Sequence, residues 1–150
     1  MRLCSGLMRL VLVAAATLVS VSCVAPAFNL SQYESKVAKT ADEAASALET
    51  ARLATGSAVR HGLYGVPIEV SLSDSEDILG SIRGTFASVQ PPGPAADALR
   101  TELLDLLERA GAAVERARIE FKRGQRLVAL TSLEQAAPVL RKLQALAERF

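Results

Sequence analysis

Val37, Ala41, Ala44, Leu48, Ala51, Thr55, Ala58 and Gly62 follow one another at alternating steps of four and three residues, and none of the eight carries a charge. Lys36, Lys39, Asp42, Glu43, Glu49 and Arg52 all fall at other positions. That spacing is the period of an α-helix, so a helix of about 30 residues presents one narrow stripe of small apolar side chains. A lone helix cannot bury such a stripe, so the chain needs partner helices. Composition points the same way: 26 residues are Ala and 22 are Leu, the two strongest helix formers.

The rest of the chain supplies the partners. Ser31-Gln32-Tyr33-Glu34 reads as a capping box opening the first helix, and Gly62 and Gly65 end it. In Val66–Leu72, Ile68, Val70 and Leu72 alternate with Glu69 and Ser71. One short alternating run cannot make a sheet alone, so it reads as an extended connector over the end of the bundle. Ser73-Asp74-Ser75-Glu76 reads as a second capping box, and Ile78, Leu79, Ile82, Phe86 and Val89 mark a short second helix. Gly80 and Gly84 lie inside it and would let a neighbouring helix come close. Pro91-Pro92-Gly93-Pro94 forces a turn. A third helix starts near Pro94 along Leu99, Leu103, Leu106, Ala110, Ala113, Ala117 and Phe121, and stops at Gly124. The fourth segment, Gln125–Phe150, carries Leu133, Ala136, Leu140, Leu143, Ala147 and Phe150 at steps of three and four, with Pro138 inside it. Proline there either kinks one helix or makes Leu127–Leu130 a separate turn before a restart. Four amphipathic segments on short turns predict an all-α, antiparallel four-helix bundle, one helix short and the last kinked or broken near Pro138.

The N-terminus has a different grammar. Arg2 and Arg9 precede an apolar run, Leu10–Leu18, and small residues follow at Ser20, Ser22, Cys23, Ala25 and Ala27. This is the pattern of an export signal. Val19-Ser20-Val21-Ser22-Cys23 resembles a bacterial lipoprotein lipobox, with Ser20 where Leu is usual. Cleavage before Cys23 and acylation of its thiol is the first reading. A cut after Ala27, in Ala25-Pro26-Ala27, is the second, and an uncleaved anchor is the third. Cys4 is the other cysteine, and nothing after residue 23 carries a thiol, so there is no disulfide framework. A lone Cys at the end of a signal is then most economically an acylation site. The expected division is 1–22 signal peptide, 23–30 tether and 31–150 a single helical-bundle domain. Without residues 1–22 the chain has 15 basic and 16 acidic residues, close to neutral, and nothing recommends a nucleic-acid partner.

Several chemistries that helical bundles host lack their residues. Both methionines, Met1 and Met8, lie in the signal, His61 is the only histidine, and no Cys-x-x-Cys-His occurs, which argues against haem. A ferritin-type di-iron site needs Glu-x-x-His from two helices, and Ala58 stands three residues before His61. Structural zinc fails by count. No Gly-x-Ser-x-Gly, Gly-x-Gly-x-x-Gly or Gly-x-x-x-x-Gly-Lys is present. His61, at the end of the first helix, suits carbonyl capping and the helix dipole. Glu102, Asp105 and Glu108, opposite Leu99–Leu103–Leu106, read as a solvated face with Arg109 in pairing range. The expectation is a protein with no catalytic residues, cofactor or metal.

Arg116, Arg118, Lys122, Arg123 and Arg126 form the one cluster with a candidate partner, an anionic surface of lipid headgroups or wall polymer. Helix-end charge complementarity, with pairing to Glu115 and Glu120, is the plainer account of it. Phe28–Leu53, the Pro-Pro-Gly break and the Arg-Thr-Glu-Leu-Leu-Asp-Leu-Leu-Glu-Arg-Ala helix resemble secreted helical proteins of high-GC Gram-positive (actinobacterial) bacteria. That resemblance implies a cell-envelope location and no activity. The expected function is interaction or scaffolding at the outer face of a bacterial membrane, lipid-anchored or secreted, with a protein partner. The alternative is a small-molecule or lipid carrier whose bundle opens around Tyr33, Tyr64, Phe86 and Phe121. An enzyme built on a buried acid pair is the third. Long apolar stripes close within one chain or between two, so the oligomeric state stays open.

Overall fold

The computed structural model describes residues 29–62 and 65–150. The expected signal peptide, Cys4, Cys23, the cut after Ala27, most of the tether, and Tyr64 lie outside the described residues. Among the described residues five helices follow in order: α1 (Leu30–His61), α2 (Val66–Ser88), α3 (Pro94–Lys122), α4 (Arg126–Gln135) and α5 (Ala137–Glu148). The protein is an all-α antiparallel bundle of four rods, the fourth divided into α4 and α5.

α1 begins earlier than its Ser-x-x-Glu motif suggests. Asn29 is the cap: it is extended (φ −148°, ψ 167°), and its Oδ1 accepts from the Gln32 amide at 2.9 Å. The Asn side chain reaches the third amide as well as Ser31 would, and the helix gains two residues. Gly62, at φ 61°, ends it in the left-handed region that glycine enters without strain.

The largest departure from the sequence reading is at Val66–Leu72, which is the first two turns of α2 and not an extended connector. Gly65 precedes it and Pro67 sits in the first turn, where its missing N–H costs nothing. Ile68, Leu72, Ser75, Leu79 and Phe86 are buried, Ile82 half-buried and Val89 buried: a four-three stripe that runs straight through the supposed cap at Ser73. Val70, part of the apparent alternation, is exposed. Ser75 bears a hydroxyl on the buried stripe because its Oγ donates to the Ser71 carbonyl at 2.8 Å.

α3 runs from Pro94, and Gly124, at φ 77°, turns the chain into α4. The last rod is broken near Pro138, as expected, but the segment before the restart is a ten-residue helix and not a turn confined to Leu127–Leu130. α4 is helical from Arg126, and the break is at Ala136 (φ −83°, ψ 0°). Pro138 has no N–H to offer the Glu134 carbonyl and would crowd it, so the helix restarts with Pro138 at its second residue. The Val139 and Leu140 amides both donate to the Ala136 carbonyl, at 2.9 and 3.1 Å.

α1 and α3 form the centre of the bundle. α2 packs on both from one side and the α4–α5 rod packs on both from the other, while α2 and that rod do not touch. Ala41, Ala44, Ala51 and Ala58 of α1 and Ala96, Ala110 and Ala117 of α3 are fully buried. Side chains this short let helix axes approach, and Leu48, Leu103, Leu106, Leu107 and Val114 fill the remaining space. Thr55, also fully buried, satisfies its hydroxyl on the Ala51 carbonyl at 2.8 Å. Gly80 and Gly84 are exposed, and a Cβ on either would meet nothing within 4 Å, so they admit no neighbouring helix. Among the described residues no helix is long and apolar enough to cross a membrane.

Candidate functional site

Two surfaces depart from an ordinary solvated helix face. The first is a groove along the outer side of the α1–α2 pair. A cavity of about 770 Å³ lies between Asp42, Glu43, Ser46, Ala47 and Thr50 of α1 and Pro67, Val70, Asp74, Ile78 and Ile82 of α2. A second, of about 330 Å³, shares Glu43, Ser81 and Ile82 with it and extends it past Thr40 and Thr85 to Val89. Its floor is Ala47, Ile82 and the flanks of Val70 and Ile78, which are 49% and 47% exposed. Asp42, Glu43 and Asp74 form an acidic rim at its middle, and Lys36 and Lys39 stand at the α1 N-terminal end. Glu43 and Lys39 pair weakly across one turn, at 3.9 Å. The groove exists because α2 spends its stripe on α1 and α3, leaving Val70 and Ile78, off the stripe, with no helix to cover them.

The second surface is the end of the bundle where the α1–α2 and α3–α4 turns meet solvent. Here the structure divides the arginine-rich cluster. Arg118 is withdrawn: its guanidinium makes a two-point contact with the Glu76 carboxylate of α2, Nη2 to Oε1 at 3.2 Å and Nε to Oε2, and both side chains are half-buried. The hydrogen bond to Glu76 holds the guanidinium above its ordinary value. Arg123 pairs with Glu120 at 3.3 Å, and Arg126 lies over the Phe121 ring with its guanidinium carbon 5.9 Å from the centroid. Arg116 and Lys122 extend into solvent. So the plainer account, pairing within the helix end, holds for Arg123, and Arg118 pairs with a different helix from the one expected. Asp105 is the acid that meets Arg109, at 3.6 Å, while Glu108 reaches Arg83 of α2 at 3.2 Å. His61 is exposed on the last turn of α1.

Three of the aromatic residues of the carrier reading, Tyr33, Phe86 and Phe121, are packing side chains. Tyr33 is fully buried and Phe86 is 2% exposed, with ring centroids 5.8 Å apart and planes at 47°, an ordinary tilted contact. Phe121 closes the α3 stripe at the other end. The Tyr33 hydroxyl has no hydrogen-bond partner among the described residues, and burial pushes its ionisation above the usual tyrosine value, against the opposing pull of Arg100. Arg100 itself donates to the Ala87 carbonyl at 2.6 Å, closing the C-terminal end of α2. On α1, the hydrogen bond from Arg52 holds the Glu49 carboxyl below its ordinary range. Among the described residues no three His, Cys, Asp or Glu side chains converge as a metal would need.

Sequence reading missed the groove because it placed Val70 in a connector. The signal was present in Val70 and Ile78, apolar residues that fit neither of the stripe positions of α2. Comparison with family models finds no match for this chain, and none is found among curated proteins or solved structures.

Proposed function

We propose that this chain is an exported interaction module, held at the outer face of a bacterial membrane through acylated Cys23, that receives a helix of a partner protein in the α1–α2 groove. One observation carries the reading: an open trough with an apolar floor and an acidic rim runs along two helices for most of the length of α2. An amphipathic helix fills such a trough with residues at i, i+3, i+4 and i+7, and a basic flank would meet Asp42, Glu43 and Asp74. A trough open along one side encloses a small ligand poorly, whereas a bound helix contributes its own wall. The lipobox-like string at Cys23 and the thiol-free remainder of the chain support the anchored location.

The test places a photo-crosslinking residue at Ser81, on the groove, and at Lys142, on the exposed side of α5, in cells producing the full chain. The expected result is one adduct of discrete mass from Ser81, lost in Ile78→Glu, none from Lys142, and incorporation of a labelled fatty acid into the chain that is lost in Cys23→Ala. Equal adducts from both positions, or none from Ser81, refute the groove. A chain without fatty-acyl label, or equal label in Cys23→Ala, refutes the anchor. A carried amphiphile is the second reading, favoured by a volume within the range of ligand sites. It would appear as a small mass bound to the purified native protein and absent from Ile78→Glu.

A further inference from the structure

The two most exposed large apolar side chains of the described residues, Val66 at 71% and Leu127 at 69%, lie at the same end of the bundle, and Val128, at 50%, is next to the second. They belong to the first turns of α2 and α4, and the alternating direction of the rods puts those turns at the same end, on opposite sides of the α1–α3 centre. Cations share this end. Arg60 lies in the last turn of α1, and Lys122, Arg123 and Arg126 span the α3–α4 turn. Residues 60–62, 65–66 and 122–128 contain no acid. Two carboxylates border it: Glu120, only 17% exposed and engaged by Arg123, whose own side chain is 63% exposed, and Glu69, half-buried in the first turn of α2.

We infer that this end of the bundle docks on the surface of an anionic lipid bilayer. The chemistry has two halves, and a bilayer interface answers both. Phosphate headgroups attract Lys122, Arg123 and Arg126, while aliphatic side chains projecting beyond the backbone reach the level of the acyl esters. A soluble polyanion would use the charges and leave Val66 and Leu127 in water. A protein groove for these aliphatics would have to tolerate desolvated arginines around them. The surface lies away from the point where the chain leaves the bundle, since α1, at 32 residues, is about 48 Å long. Residues 23–29 span at most about 25 Å, so this end and an acylated Cys23 reach one bilayer together only with the bundle tilted over it; the contact is independent of the groove.

The full chain carrying Cys4→Ser, Cys23→Ser and Gln125→Cys is labelled with a nitroxide at 125, a solvent-exposed turn position between Lys122 and Leu127. A second chain carries the label at Ala98→Cys, exposed near the other end of α3. Each is mixed with phosphatidylcholine vesicles with and without about one-third phosphatidylglycerol. The label at 125 is expected to become accessible to oxygen and shielded from an aqueous nickel chelate on anionic vesicles only, while the label at 98 stays open to nickel. Lys122→Gln/Arg123→Gln/Arg126→Gln should weaken this end's own association about a hundredfold and return the label at 125 to aqueous accessibility. Val66→Ser/Leu127→Ser should do so with every charge intact. Three results overturn the inference: no vesicle binding, binding in which 125 stays aqueous because residues 1–28 alone hold the chain, or equal shielding of 125 and 98.

Discussion

Replacing Gly80, Gly84 and Gly111 together by Ala should stabilise the bundle substantially, and the structure sets the size of the effect. All three are interior residues of helices, none is among the glycines with positive φ, and a Cβ on each meets nothing within 4 Å. The methyl group therefore enters open space, and the change acts almost wholly on the unfolded chain, where Gly has more freedom to lose. The helix-interior difference between Gly and Ala is about 1 kcal/mol, so three sites sum to about 2.5–3 kcal/mol. For a folded unit of about 120 residues, with unfolding entropy near 0.25 kcal/mol/K, each site raises Tm by about 4 °C and the triple variant by about 10–12 °C. Urea melts followed by circular dichroism should show the midpoint rising with an unchanged slope. Gly62→Ala and Gly124→Ala serve as the opposite control. At φ 61° and 77° they should cost about 1–2 kcal/mol despite equally open surroundings. A loss of stability in Gly80→Ala or Gly84→Ala would refute the reasoning, because it would mean that something packs against these backbones after all.

Leu103→Ala should cost about 3–5 kcal/mol in the same melts, because Leu103 is fully buried on the central helix α3 where the surroundings collapse least; a cost under 1 kcal/mol would contradict the central placement of α3. Tyr33→Phe bears on pH. Burial raises the Tyr33 ionisation above its ordinary value, so the folded state holds its proton where the unfolded chain has released it. Stability from this group is thus present below about pH 10 and falls as pH rises from there. The urea midpoint of Tyr33→Phe should decline less steeply than that of the parent chain between about pH 9 and 11. The variant should also be no less stable at neutral pH, since it removes a buried hydroxyl without a partner. Identical slopes would show that Tyr33 ionises in the fold as it does in the open chain.

Much of this architecture can be read from spacing alone. The uncharged series from Val37 to Gly62 and the Leu99–Phe121 stripe are long enough for the helical period to be unmistakable, and Pro94 and Gly124 punctuate α3 where the chain turns. The start of α2 could not be read so easily. Ile68, Val70 and Leu72 satisfy a strand's period over five residues, and Ser75 interrupts the apolar stripe that would have revealed the helix. The fold tolerates Ser75 there because its hydroxyl bonds within its own helix, a compensation no apolar count registers. At the other end of the protein, Pro138 announced a break, but only the path of the backbone showed that it falls at Ala136.

A helical period tells which residues share a face, but not which face of which neighbour will meet it. Apolar stripes are chemically interchangeable, so the sequence by itself determined four helical rods, their approximate ends and the residues each must bury. Tertiary structure alone decided that α1 and α3 would lie between α2 and the α4–α5 rod. That choice withdrew Arg118 into a contact with Glu76, left Val70 and Ile78 uncovered on a groove, and gathered Val66, Leu127 and the cations of two separate turns at one end. These surfaces join residues from different helices, and such a juxtaposition exists only once the rods have taken their places.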